Sequence, residues 1–232
     1  MVKRKRRTFK TRRRRKKRRR KGSAVLRAVT SGNKPIADSL VVKLRFSDFV
    51  TIDPTAATAS TVVYRANSIF DPRYATGGNQ PLGMDQWSAF YDHYVVLGSK
   101  ITVKFIPSTF TPVLGSAIVG ISLQDDATTT AGVGLQMIER AGSKWGIMTG
   151  SDSTGYKSLT KSFSTKKFFG IKDVADNIAK LGATTGANPS EAAYFHVSAG
   201  PVDNSSNASP LTAIIQIDYI IKFVERKALT GS

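Results

Sequence analysis

Sixteen of the first 21 residues are basic and none is acidic: Lys3, Arg4, Lys5, Arg6, Arg7, Lys10, Arg12, Arg13, Arg14, Arg15, Lys16, Lys17, Arg18, Arg19, Arg20 and Lys21. Like charges at this density repel one another, and Phe9 is the only aromatic among them. Such a segment has too little apolar surface to offset its ordering entropy, so it is expected to stay disordered until it meets a polyanion. Whatever folds must therefore come from the rest. The formal net charge of +19 belongs mostly to the arm, because the remaining residues hold 19 basic against 16 acidic side chains.

The chain has 232 residues, so the part beyond the arm is long enough for one sizeable core, and a β-sandwich of this size is commonly a single domain. No cysteine is present, which excludes a disulfide framework and thiolate metal sites and fits folding in a reducing compartment. No apolar stretch follows the N-terminal charges, so they do not read as a signal peptide. The richest apolar segment, LTAIIQIDYIIKFVER, is broken by Gln216, Asp218 and Lys222, and no membrane insertion is expected. The sequons at Asn204 and Asn207 then read as an unmodified serine-rich loop.

An Arg-rich arm makes bidentate, sequence-independent phosphate contacts, and its binding is driven largely by counterion release. A membrane-surface role is weaker, because residue 2 is Val rather than the Gly of a lipidation signal. Short Lys/Arg runs also serve as nuclear import addresses, which makes the host import machinery a possible partner.

Residues 22–35 are small and polar, as suits a hinge. Beyond them the period is close to two. SLVVKLRF sets Leu40, Val42, Leu44 and Phe46 against Val41, Lys43 and Arg45; STVVYRA follows at 60–66; GSKITVKFI sets Ile101, Val103 and Phe105 against Lys100, Thr102 and Lys104, and stops at Pro107. Further strands are predicted over 114–124, 143–150, 157–165, 192–200 and 211–226. Eight strands separated by turn signals argue for an all-β sandwich or barrel. Three short helices are predicted between them: MDQWSAFYDHY, with Asp85 as N-cap and Trp87, Phe90, Tyr91 and Tyr94 on one face, then 134–142, and 171–182 ended by Gly182.

If the first, third and last strands share a sheet, its solvent face carries Lys43, Arg45, Lys100, Lys104, Lys222 and Arg226, diluted only by Asp218. The other strands contribute just Arg65 and Lys144. Either these are ordinary solubilising cations, or the basic sheet faces the same polyanion as the arm.

The stretch from Tyr64 to Phe105 contains DPRYATGGNQPLGMDQW, the aromatic FYDHY and GSKITVKF entering a strand, all downstream of a basic arm. In these features the chain resembles the capsid proteins of circular, Rep-encoding single-stranded DNA viruses, the circovirus-like group. The resemblance implies a single eight-stranded jelly roll of two four-stranded antiparallel sheets, B-I-D-G and C-H-E-F, that assembles into a small icosahedral shell. It also implies that the B-I-D-G sheet borders the lumen and that the arm points inward to the genome. With about sixty copies, the arms supply on the order of 1,000 positive charges, enough to balance roughly 1,000 nucleotides.

Catalytic signatures are absent from the sequence: there is no HExxH, GxSxG or phosphate loop, and His93 and His196 are the only histidines. His196 reads as a satisfied strand histidine. Asp125 and Asp126 read as turn carboxylates, with an intersubunit divalent cation as the alternative. The Trp87, Phe90, Tyr91 and Tyr94 cluster reads as core or a subunit contact, with base stacking as the alternative.

The expectation is a non-enzymatic coat protein of a single-stranded DNA virion, assembled in the host nucleus, with an arm over 1–21, a hinge over 22–35 and a shell domain over 36–228. It needs no cofactor or metal. The nucleic-acid-binding residues are the sixteen arm cations and Lys43, Arg45, Lys100, Lys104, Lys222 and Arg226. Alternatives are a small RNA-virus coat protein of the same fold and a cellular basic-tailed nucleic-acid-binding protein.

Overall fold

The computed structural model describes residues 36–75, 79–107, 115–128, 135–149 and 155–228; the arm over 1–21 and the hinge over 22–35 lie outside these. Alternation sets the first strand, β1 (Ser39–Ile52): Leu44, Phe46, Val50 and Ile52 are buried, while Val41, Lys43, Arg45, Ser47 and Phe49 face solvent. Its partner β9 (Leu211–Arg226) buries every odd residue from Leu211 to Phe223 and pairs with β1 along the whole of that strand. β3 (Tyr91–Pro107) lies on the other side of β9, and β6 (Lys157–Ser164) follows. The second sheet runs β2 (Ser60–Arg65), β8 (Tyr194–Pro201), β4 (Ala117–Gln124) and β5 (Lys144–Met148). All these pairings are antiparallel.

A short β7 (Gly182–Thr184) adds to β3 at residues 93–95. With β7 set aside, the strands lettered B to I pair as B-I-D-G and C-H-E-F, which is the jelly roll. The core lies between the sheets and includes Phe46, Tyr64, Phe105, Phe195, Ile217 and Phe223. Each such side chain contributes about 1.5–3 kcal/mol by its burial. Tyrosines are tolerated inside because their hydroxyls find acceptors: Tyr64 donates to Asp48 at 2.9 Å, Tyr94 to the Ala187 carbonyl at 2.9 Å and Tyr219 to the Arg65 carbonyl at 2.7 Å. Burial raises the pKa of all three phenols.

Local structure departs from the sequence expectation in four places. The helix expected over 84–94 is only α1 (Met84–Ser88), capped by Gly83 at φ 89° rather than by Asp85. Tyr91 and Tyr94 belong to β3 instead, because pairing with β9 satisfies the backbone that a continued helix would have used. A bulge between Val96 and Gly98 then resets the alternation, so that Ser99 and Ile101 face the core. The residues over 171–182 form a 3₁₀ turn (Ala175–Asn177) and a helix of four residues (Ile178–Leu181), which Gly182 ends in extended backbone as β7 begins. Elsewhere α2 (Leu135–Glu139) falls where a helical turn is expected, while α3 (Thr165–Phe168) and β7 are too short to carry a periodic signal. The helix Ile178–Leu181 is α4.

Candidate nucleic-acid interface

Antiparallel register sorts the outer face of the β1-β9-β3-β6 sheet into levels. The first is Val41 beside Lys222, and the next is Lys43 beside Ile220. Then come Arg45, Asp218, Lys100 and Ser162; Ser47, Gln216, Thr102 and Thr160; and Phe49, Ile214, Lys104 and Ser158. Lys43, Arg45, Lys100, Lys104 and Lys222 thus share one face, and Asp218 is the single carboxylate among these levels. Near Lys222 the face is covered, where Val95 and Leu97 of β3 pack against Val174, Ile178 and Leu181.

Asp218 is bracketed. Arg45 Nε donates to its Oδ1 at 2.7 Å and Lys43 Nζ sits 3.1 Å from its Oδ2. The Arg45 hydrogen bond, with Lys43 beside it, holds the Asp218 carboxyl below the ordinary carboxylate range, against the opposing effect of partial burial. Arg45 and Lys43 remain 57% and 58% exposed, so solvent screens both pairs and both cations stay open to solvent. The face keeps a positive excess: five cations against one acid.

Arg226 is a correction. It stands opposite Tyr91, a core residue, because Glu225 at φ 59° interrupts the alternation. Its side chain is 23% exposed and its Nε lies 3.9 Å from Asp38 Oδ1, so it belongs to the core-side end of β9 and not to the outer face. Two further lysines turn away as well. Lys157 packs over Gly146, and Lys161 donates to the Gly142 carbonyl; burial, with Lys144 nearby, lowers the Lys161 pKa.

Three of the four rings of the aromatic cluster at 87–94 pack against the core, and Phe90 stays exposed. Trp87 stacks on Phe223 at 6.0 Å, Tyr91 packs on Phe223 at 5.8 Å, and Tyr94 is fully buried. Phe90, Tyr74 and, on β5, Trp145 are exposed rings away from the basic face; on or beside that face the exposed rings are Phe49 and Tyr156, which precedes β6, with Val41, Ile214 and Ile220 as exposed aliphatics. Phe49 continues the exposed parity of Lys43, Arg45 and Ser47 beyond Phe46, where Asp48 interrupts the apolar series; Tyr156, ahead of β6, has no such signal.

The second sheet differs. Its outer face sets Arg65, ion-paired to Asp71 at 2.9 Å, beside Tyr194, and buries His196, Ser122 and Ser198. α2 covers part of it: a Cβ on Gly120 would meet Met137 Sδ at 2.6 Å. His93 pairs with Glu225 at 2.8 Å. Asp126 Oδ1 accepts bonds from the Thr128 amide and hydroxyl, both at 2.8 Å, and among the described residues no cluster of three His, Asp or Glu could hold a metal ion. No described helix is long and apolar enough to cross a membrane.

No protein-family model matches the chain, and no curated protein matches it. Among solved structures it is similar to Desmodium yellow mottle tymovirus, at 13% identity and TM-score 0.43 over 86% of this chain and 89% of that one. It is similar to the semi-empty VLP of Macrobrachium rosenbergii nodavirus, at 10% identity and TM-score 0.45 over 86% of this chain and 100% of that one. A third is the decameric BFDV capsid protein, at 9% identity and TM-score 0.41 over 80% of this chain and 99% of that one. The jelly-roll assignment rests on the strand pairing itself.

Proposed function

We propose that the chain is a viral coat protein whose jelly rolls close into a small icosahedral shell of about sixty copies and whose arm packages single-stranded DNA in the host nucleus. The observation that carries this reading is the placement of five cations on the outer face of one sheet, in a chain that also has a polycationic arm. The arm precedes β1 in the chain, and in this reading arm and face meet the same polyanion. The arm neutralises phosphates by counterion release, and the face of Lys43, Arg45, Lys100, Lys104 and Lys222 receives the condensed strand. Arg226 has no part in that face. Shell closure rests on contacts between copies of the chain, and the chemistry is structural rather than catalytic.

The test is expression of the full chain and of residues 22–232, with electron microscopy and the ratio of absorbance at 260 to 280 nm. The full chain is expected to form closed particles that contain nucleic acid; the shortened chain is expected to fold with an unchanged thermal midpoint and carry less of it. A full chain that stays monomeric across a range of salt overturns the coat-protein reading. Nuclease digestion of the extracted nucleic acid separates DNA from RNA, on which phosphate charge is silent.

A further inference from the structure

Phe49, Ile214 and Lys104 stand side by side on the outer face of β1, β9 and β3. Phe49 is 76% exposed and Ile214 is 42% exposed. Tyr156, which precedes β6 and is 52% exposed, lies 5.7 Å below Lys104 Nζ in a cation–π contact. A phenyl ring so open on an edge strand is unusual, since edges carry charge at such positions. Two residues along the strands lies the hydroxyl and amide level of Ser47, Gln216 and Thr102, and two further the level of Arg45 and Lys100. Cations, hydrogen-bonding groups and open rings therefore follow one another within about 13 Å, at roughly 3.3 Å per strand residue. Single-stranded nucleic acid presents the matching sequence of groups: phosphates, sugar and base edges, and flat base faces. Proteins that hold it without sequence preference combine a cationic track with aromatic platforms, and an open sheet face serves that purpose.

We propose that Phe49 and Tyr156 are base-stacking residues for the packaged strand, with Lys104 between them holding its backbone. This rests on the reading of the face as a nucleic-acid surface. A second copy of the chain is the other occupant an apolar row would accept, but in a two-fold contact the five cations would oppose their own kind.

The experiment compares binding of the full chain to oligothymidine and to an abasic sugar–phosphate strand of equal length, at about 0.5 M salt so that phosphate contacts are weakened. The unaltered protein is expected to prefer the base-bearing strand. Phe49→Ser and Tyr156→Ser each lower affinity for it about ten-fold and leave the abasic strand unaffected. Photocrosslinks from a 5-iodouracil strand to the unaltered protein fall on the peptides that carry these two rings, a readout independent of variant folding. Equal affinity for the two strands, a preference that survives the double substitution, or crosslinks elsewhere overturns the proposal. So does a double variant that loses particle formation with its preference intact, which marks the row as a contact between copies. Binding to neither strand at about 0.5 M salt overturns the proposal, and binding to neither at low salt removes the nucleic-acid reading of the protein as well.

Discussion

His196 shows how one ring can set the acid limit of the fold. It lies on β8 at 1% exposure, with Nε2 2.7 Å from the Asp126 carbonyl. That carbonyl can only accept, so Nε2 carries the hydrogen and Nδ1 is the bare nitrogen, buried with no hydrogen-bond partner among the described residues. A second proton would place a donor where no described group accepts it. Burial accordingly lowers the His196 pKa below 6.5, and the Arg140 charge adds to the effect, against the Asp126 carbonyl and carboxylate, which favour the cation. Because the unfolded chain takes up the proton first, stability present above pH 6.5 is lost as pH falls through that value toward the folded pKa. Thermal midpoints measured from pH 7 down to about 5 should fall, and His196→Gln, which keeps a donor near the Nε2 position and cannot titrate, should flatten that decline. An unaltered slope in the variant would assign the acid sensitivity elsewhere. The sequence already marks His196 as a strand histidine; that only one of its nitrogens is satisfied depends on the 125–128 turn and is not legible from the strand alone.

At the level of elements, the short pieces are held by contact rather than by propensity. β7 begins at Gly182, where a Cβ would lie 2.8 Å from the Tyr94 carbonyl oxygen and 2.9 Å from that of Ile178. Backbone on both sides cannot swing away as a side-chain end can. Gly182→Ala should cost about 1–3 kcal/mol in chemical denaturation, whereas Gly186→Ala, with nothing within 4 Å of its Cβ, should stay within about 0.5 kcal/mol. Equal effects at the two positions would contradict this account of how α4 and β7 dock. The same contrast explains what the sequence reveals. β1 and β9 announce themselves because alternate residues meet core and water over more than a dozen positions. Trp87, Phe90, Tyr91 and Tyr94 satisfy a helical spacing, yet the chain turns into β3 after α1, because long-range pairing with β9 outweighs local pattern. Lys43, Arg45, Lys100, Lys104 and Lys222 are readable as one face from parity, while Arg226 is not, because a single residue at positive φ reverses the parity before it. Phe49 escapes notice because the apolar series that marks β1 stops at Phe46, and Tyr156 because it precedes β6 and has no alternation to mark it.

For the whole molecule, charge is divided between a dense arm and a sparse face. Arm cations number sixteen, so their removal should flatten the salt dependence of single-strand binding far more than any change on the face. Replacing Lys100 and Lys104 together by Gln should reduce the logarithmic salt slope by about 1.4 if both meet phosphate, uniformly across sequences. Titration of the full chain and this double variant over a range of salt measures it, and an unchanged slope would remove both lysines from the phosphate track. The pairing of β1 with β9 has a separate consequence, in time rather than in space. Partners such as Ile52 and Leu211 are roughly 160 residues apart, a separation that makes closure slow. Both β1 and β3 border β9, so until it is synthesised each lacks a neighbour and offers a bare edge to other nascent chains. The polycation ahead of β1 is synthesised well before β9, and repulsion between such arms is expected to oppose association of those half-made sheets, as a solubility tag would.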